Sequence, residues 1–170
     1  MANGSVRALA HSLASTRASN ALREHLWIVP TSQSIHIIGV ALVFTSALII
    51  SLRLIGLGRS EQPLSIQISR LARMLFFSVP VLLVTGVLQT IAEPVRQLVT
   101  PAFWLKMALI LIGLGMVYFL AESVRRDPHR WESPETRPPW SRIYAVVNLG
   151  IWITVILCGR FIGYTWMKYV

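Results

Sequence analysis

Four apolar runs constrain this chain more than anything else in it. They cover residues 31–54, 69–92, 101–124 and 143–166. Each exceeds the ~20 residues that an α-helix needs to cross a hydrocarbon core about 30 Å thick. Lipid cannot hydrogen-bond backbone N–H and C=O groups, so segments this apolar must satisfy their backbones internally, as helices. The alternation of apolar and polar residues that marks a half-buried strand is missing. The expected fold is all-α: an integral membrane four-helix bundle over residues 31–170, preceded by an N-terminal segment, 1–30.

Charge supports the same reading. The chain is 54% hydrophobic and only 14% charged, low for a soluble domain of this size. A net charge of +9 suggests nucleic acid only if the arginines form a soluble patch. Here they sit between hydrophobic spans, where the positive-inside rule and anionic headgroups account for them. The expected partner is the lipid bilayer, and nucleic acid is set aside. The one cysteine, Cys158, lies inside the fourth span. It cannot form an intramolecular disulfide and says nothing about redox compartment.

Orientation follows from Lys and Arg near the spans. The first connection and its flanks carry Arg53, Arg59, Arg70 and Arg73. The third carries Arg125, Arg126, Arg130, Arg137 and Arg142. The second carries only Arg96, and only Lys168 follows span four. The two basic loops are therefore expected in the cytoplasm, with both termini outside. Arg7, Arg17 and Arg23 weaken this bias without reversing it. The proline-rich stretch RRDPHRWESPETRPPW reads as a surface loop, partly extended, with His129 solvated.

The N-terminal segment has no acid before Glu24. Its arginine, serine and alanine resemble a mitochondrial transit peptide, but it lacks the apolar core of a secretory signal. Val6, Leu9 and Leu13 recur at helical spacing, as do Leu22 and Leu26. The preferred reading is an amphipathic helix lying in the membrane interface.

Polar residues inside the spans can then be placed by depth. His36 lies about one and a half turns into span one from the outer face. Lys106 sits at nearly the same depth in span three, and Arg160 near the outer end of span four. Gln89, Thr90 and Glu93 close span two at that end. His36, Lys106, Arg160 and Glu93 thus gather at one level. Snorkelling toward headgroups is the plain alternative for Arg160. It suits Lys106 less well, because the Lys106 face continues through Ile110 and Gly113, and a glycine there implies close approach of another helix. For His36 the plain alternative is a hydrogen bond to a neighbouring helix. At about 100° per residue, Cys158 and Arg160 point to nearly opposite sides, whereas Tyr164 shares the Arg160 face. Val40, Val43 and Ala47 line the His36 face and leave room for a helix or a flat ligand.

Other features read as packing. Gly159 and Gly163 form a small-xxx-small pair. Pro80 kinks span two, with Ser78, Thr85 and Gly86 near the break. Trp27, Trp104, Trp140, Tyr144, Trp166 and Tyr169 fit an aromatic belt. Trp152, near mid-span, needs a partner for its indole N–H and is directed toward Asn148.

Five stretches carry a family resemblance: LREHLWIVPTSQSIHIIGVAL into span one, SLRLIGLG closing it, VTGVLQTIAEP ending span two, TPAFWLKMALI opening span three, and GRFIGY closing span four. In order and spacing the chain resembles the bacterial membrane proteins grouped as domain of unknown function 6644. The resemblance implies a small four-span protein of the bacterial inner membrane that keeps its N-terminal segment, and gives no established activity. The SIHIIG and FWLKMALI patterns are also similar to copper-resistance D-type membrane proteins and to the haem-containing protoporphyrinogen oxidase family. That likeness is an analogy, and fold-level analogy does not fix function.

The chemistry suggests haem b near the outer face. His36 would supply the axial nitrogen. Lys106 and Arg160, with Tyr164 beside Arg160, would meet the propionates. Electrons would pass between a periplasmic donor and a quinone or membrane partner. No other span carries a histidine, so a sixth ligand would have to come from His25, His11 or Met107. Two other readings stay open. One is a copper-handling or transport protein using His36, Met107 and Met167. The other is a non-catalytic anchor or assembly subunit whose polar cluster meets headgroups or a partner. Phosphate loops, paired zinc cysteines and a nucleophile with its base are absent from the sequence, so no cofactor-free enzyme is expected.

Overall fold

The computed structural model describes residues 2–57, 62–133 and 135–165, and among these it contains helices and no strand. In chain order they are α1 (Ala2–Ala14), α2 (Arg17–Glu24), α3 (Ile28–Ile55), α4 (Leu64–Ala92), α5 (Pro94–Leu98), α6 (Pro101–Arg126), α7 (His129–Glu132) and α8 (Trp140–Thr165). The four long helices α3, α4, α6 and α8 are long and apolar enough to cross a membrane. They pack together as a membrane bundle. Arg59, Trp166, Met167, Lys168 and Tyr169 lie outside the described residues.

Each long helix packs against two others. α3 and α6 both touch α4 and α8, which makes α3–α6 and α4–α8 the diagonals of the bundle. The N-termini of α3 and α6 share one end with α5; the connections α3–α4 and α6–α8, with α7, form the other.

The helices run past the apolar stretches that announce them. α4 starts at Leu64, not 69, because its first turns carry the polar residues Gln67, Ser69 and Arg70 while the helix continues. α8 likewise starts at Trp140 rather than 143. Prolines set several starts: Pro94 and Pro101 occupy the first turns of α5 and α6, where a missing N–H costs nothing. α3 ends on Gly56 at φ 95°. The Leu57 N–H reaches the Leu52 carbonyl at 3.0 Å and the Gly56 N–H reaches Arg53 at 3.2 Å, a closure that favours glycine.

The apolar core fills the α7 end and the middle. Ile50, Leu54, Ile68, Leu120, Val124 and Trp131 cluster at the α7 end. Val43, Ala47, Ala72, Leu75, Val117 and Trp152 follow in the middle. Between them the Trp152 indole donates to Asn148 Oδ1 at 3.1 Å, as expected, and the Asn148 amide donates to Ser51 Oγ at 3.2 Å.

Two expectations change at the α7 end. The proline-rich connection is not only a surface loop, because α7 turns Trp131 fully into the core. Tyr144 belongs to that core and not to an aromatic belt. Sequence charge hid both, since the aromatic residues are embedded among arginines and prolines. Glu132 then caps α4. Its carboxylate accepts the Leu64 N–H at 3.1 Å and the Ser65 hydroxyl, placing an anion at a helix N-terminus. Arg137 donates to the Arg53 and Trp131 carbonyls, each at 3.4 Å. Burial, with Arg53 nearby, pulls its guanidinium pKa below the ordinary value. His129 is exposed, as expected.

At the other end α1 lies against α5 and α2 against α4. Ala10 and Ser19 are buried there, while Leu9, Leu13 and Leu26 stay exposed. Thr16 caps α2, and Arg23 closes α1 by donating to the Ala14 carbonyl at 2.7 Å.

Candidate functional site

The third of the bundle nearest α5 differs from the rest. Beyond Trp152 polar groups, among them Ser32 and Thr85, join the buried Val155, Cys158 and Ile162. α3 and α4 approach closely at Gly39, where an added Cβ would lie 2.8 Å from Leu82 Cδ2. One turn closer to α5, the same face of α3 presents His36 to α4.

The His36 Nδ1 lies 2.8 Å from Thr85 Oγ1. That hydroxyl is also 2.7 Å from the Val81 carbonyl, one turn back in its own helix. A hydroxyl has one proton to give. With that proton on the Val81 carbonyl, Oγ1 accepts from Nδ1–H and the Nε2 lone pair is free. This second bond is how proteins commonly fix which imidazole nitrogen is a ligand. Gly86 leaves room beside the ring, its added Cβ falling 3.7 Å from His36 Cε1.

Lys106 comes from the diagonal helix α6. It lies within Coulombic reach of His36 and of Cys158. Lys106 is half-buried, on the side of α6 that meets α8. Its Nζ sits against α8, 3.9 Å from where a Cβ on Gly159 would be. Among the described residues no acid pairs with it. A lysine in a span costs about 2.5–3.5 kcal/mol at mid-membrane, less toward the end, so this charge calls for an anionic partner.

Arg160 and Tyr164 are not brought to this pair. Both are exposed, and the Arg160 guanidinium stacks 4.9 Å from the Tyr164 ring centroid. Their level along α8 is the expected one and their shared face is the expected face, but that face turns away from the centre. Cys158, which the same helical geometry puts opposite Arg160, is buried and faces Lys106. Glu93 lies just beyond α4 and is ion-paired with Arg96 at 2.5 Å. His11 and His25 are exposed on the N-terminal segment, and Met107 is exposed on α6. Met107 follows Lys106 by one residue and so points about 100° away from it.

Two side chains missing from the expected set belong here. Thr85 was legible only as a polar residue near Pro80. Arg96 stood as a lone loop charge, yet its Nη2 lies 3.5 Å from where a Cβ on Gly163 would be. The Arg96 Nε and the Gln89 Nε2 are buried without a partner.

An open apolar groove of about 700 Å³ runs between α3 and α4, walled by Ile35, Pro80, Val81, Val84 and Thr85. Thr85 separates it from the His36 ring, which does not line it.

The order of these features along the chain, from Trp27 to the end of α8, is that of a known sequence family: the family of unknown function DUF6644 matches residues 27–165. The chain belongs to this family. The match spans all four long helices, His36, Lys106 and Arg96, and begins after α1 and α2. Comparison with curated proteins and with solved structures gives no match.

Proposed function

We propose that this protein is a small electron-transfer subunit that binds haem b at the α5 end of its bundle. One observation carries the reading: His36 Nδ1 lies 2.8 Å from Thr85 Oγ1, and with the Thr85 proton on the Val81 carbonyl the ring donates from Nδ1 and keeps Nε2 for a metal, the second bond that ligating histidines make. The residues fit the group in two respects. His36 offers a neutral imidazole nitrogen inside the bundle. Lys106 offers an unpaired ammonium to a propionate. Arg160 and Tyr164 do not extend that set, and His11, His25 and Met107 are not placed to give a second ligand. Bound there, haem would supply one-electron transfer from a donor outside to a quinone or partner in the membrane.

The arginine bias supports an orientation. Arg53, Arg70, Arg73, Arg125, Arg126, Arg130 and Arg137 flank the α7 end, a bias that favours the cytoplasm for that end. The proposed site then faces the periplasm of a bacterial inner membrane, with both termini on that side.

The deciding measurement is an absorption spectrum of the protein purified in mild detergent from haem-replete cells, oxidised and then dithionite-reduced. The expected result is a Soret band that is lost in a folded His36→Ala variant. A colourless, folded preparation would overturn the reading and favour a non-catalytic anchor.

A further inference from the structure

The two glycines near the end of α8 do not seat another helix backbone. An added Cβ on Gly159 would lie 3.9 Å from Lys106 Nζ, and one on Gly163 would lie 3.5 Å from Arg96 Nη2. Gly159 and Gly163 are one turn apart, about 6 Å along the axis at ~1.5 Å per residue. Two cationic ends, one from α6 and one from α5, are therefore laid side by side along a strip of α8 that has no side chains. Larger residues at 159 and 163 would fill the space these cations occupy.

Their pairing is incomplete. Lys106 has no acid among the described residues, and Arg96 gives only Nη1 to Glu93. The Arg96 Nε is buried and unpartnered, as is the Gln89 Nε2. Buried donors without acceptors are uncommon in folded proteins. Here they accompany an uncompensated ammonium at the same end of the bundle. Arg160, one residue from Gly159, is occupied by Tyr164 on another face.

We infer that Lys106 and Arg96 together form a two-point carboxylate site on the Gly159–Gly163 strip, and that it takes the two propionates of the haem. The identity of the ligand rests on the haem reading above; the site itself rests on the placement of the two cations. Arg96 thereby replaces Arg160 as the second carboxylate partner. It is a binding residue for the propionate edge, not an iron ligand.

The test compares haem with its propionate dimethyl ester, which keeps the ring and iron and loses both negative charges. Each is titrated into detergent-purified apoprotein, followed by the Soret band. Charge-assisted hydrogen bonds carry most of the expected difference, so haem should bind the wild type at least about tenfold more tightly than the diester. Arg96→Gln and Lys106→Gln should each shrink that preference severalfold, while Arg160→Gln should leave it intact. Thermal unfolding of each apoprotein variant checks that it is folded. If Lys106→Gln fails to fold, the contrast between Arg96→Gln and Arg160→Gln carries the test.

Equal affinity of the wild type for haem and diester would overturn the carboxylate site and leave His36 ligation standing. Loss of preference in Arg160→Gln, but not in Arg96→Gln, would do the same. Binding of neither compound would defeat the haem reading itself, and this assignment with it.

Discussion

Thr85 decides which nitrogen of His36 is free, and it does so through a bond inside its own helix. With its proton on the Val81 carbonyl, the hydroxyl accepts from the ring's Nδ1–H. Thr85→Val keeps the shape and removes the acceptor, so the ring should lose its fixed tautomer. In ¹⁵N spectra of histidine-labelled protein, the wild type should show His36 protonated at Nδ1 and bare at Nε2. The variant should show a mixture. An Nε2–H wild-type ring would refute the arrangement. Haem affinity in the variant should fall about 10–100-fold, the usual effect of losing a ligand's outer hydrogen bond. None of this can be read from a lone threonine in an apolar run. His36 and Lys106 were legible because ionisable residues in a span are rare. Arg160 satisfied the same criterion and lies elsewhere, since depth is a one-dimensional coordinate and the facing direction depends on how α8 is rotated. Cys158 and Arg160 do lie on opposite sides of α8, and the packed interior takes the Cys158 side.

Helix rotation is set by small residues meeting large ones. Gly113 of α6 receives the Trp152 ring, whose Cζ2 lies 3.1 Å from where a Cβ would be, with Ile151 Cγ2 at 3.4 Å. The ring is tethered through Asn148 to Ser51 and cannot swing aside freely. Gly113→Ala should therefore destabilise the bundle. Overpacking costs about 1–3 kcal/mol, which outweighs the ~1 kcal/mol gained from alanine's helix propensity. Gly115, two residues on, has open space around its Cβ position, and Gly115→Ala should be neutral or slightly stabilising. Unfolding of both variants in matched detergent measures the difference; equal behaviour would mean that α6 is rotated away from Trp152. The four spans and the Asn148–Trp152 pair were readable, because length, hydropathy and spacing within one helix are local properties. α7 was not. Its burial of Trp131 and its cap on α4 come from contacts between segments far apart in sequence, and the charges around it look like those of an ordinary loop.

Across the whole bundle, polarity is arranged along the axis. Apolar clusters fill the α7 end and the middle, and His36, Lys106 and the unpartnered Gln89 amide collect near α5. Arginine at the helix ends and in the connections has the opposite bias, with most of it at the α7 end. Insertion responds to the flanking charges, whereas a ligand responds to the interior ones. If both act as argued, the polar third opens to the periplasm and a redox partner there reaches it without crossing the apolar core. α1 and α2 lie over that same end, against α5 and α4. Alkaline phosphatase joined after residue 165 should be active, and the same enzyme inserted in the α6–α8 connection, at residues 135–136, should be inactive. Fluorescent-protein fusions should give the reverse pattern, since they mature only in the cytoplasm. The opposite result at both positions would turn the His36–Lys106 end toward the cytoplasm and require a cytoplasmic electron donor. The packing of the bundle and the cations on the Gly159–Gly163 strip would be unchanged, because they depend on contacts between helices and not on which side of the membrane they face.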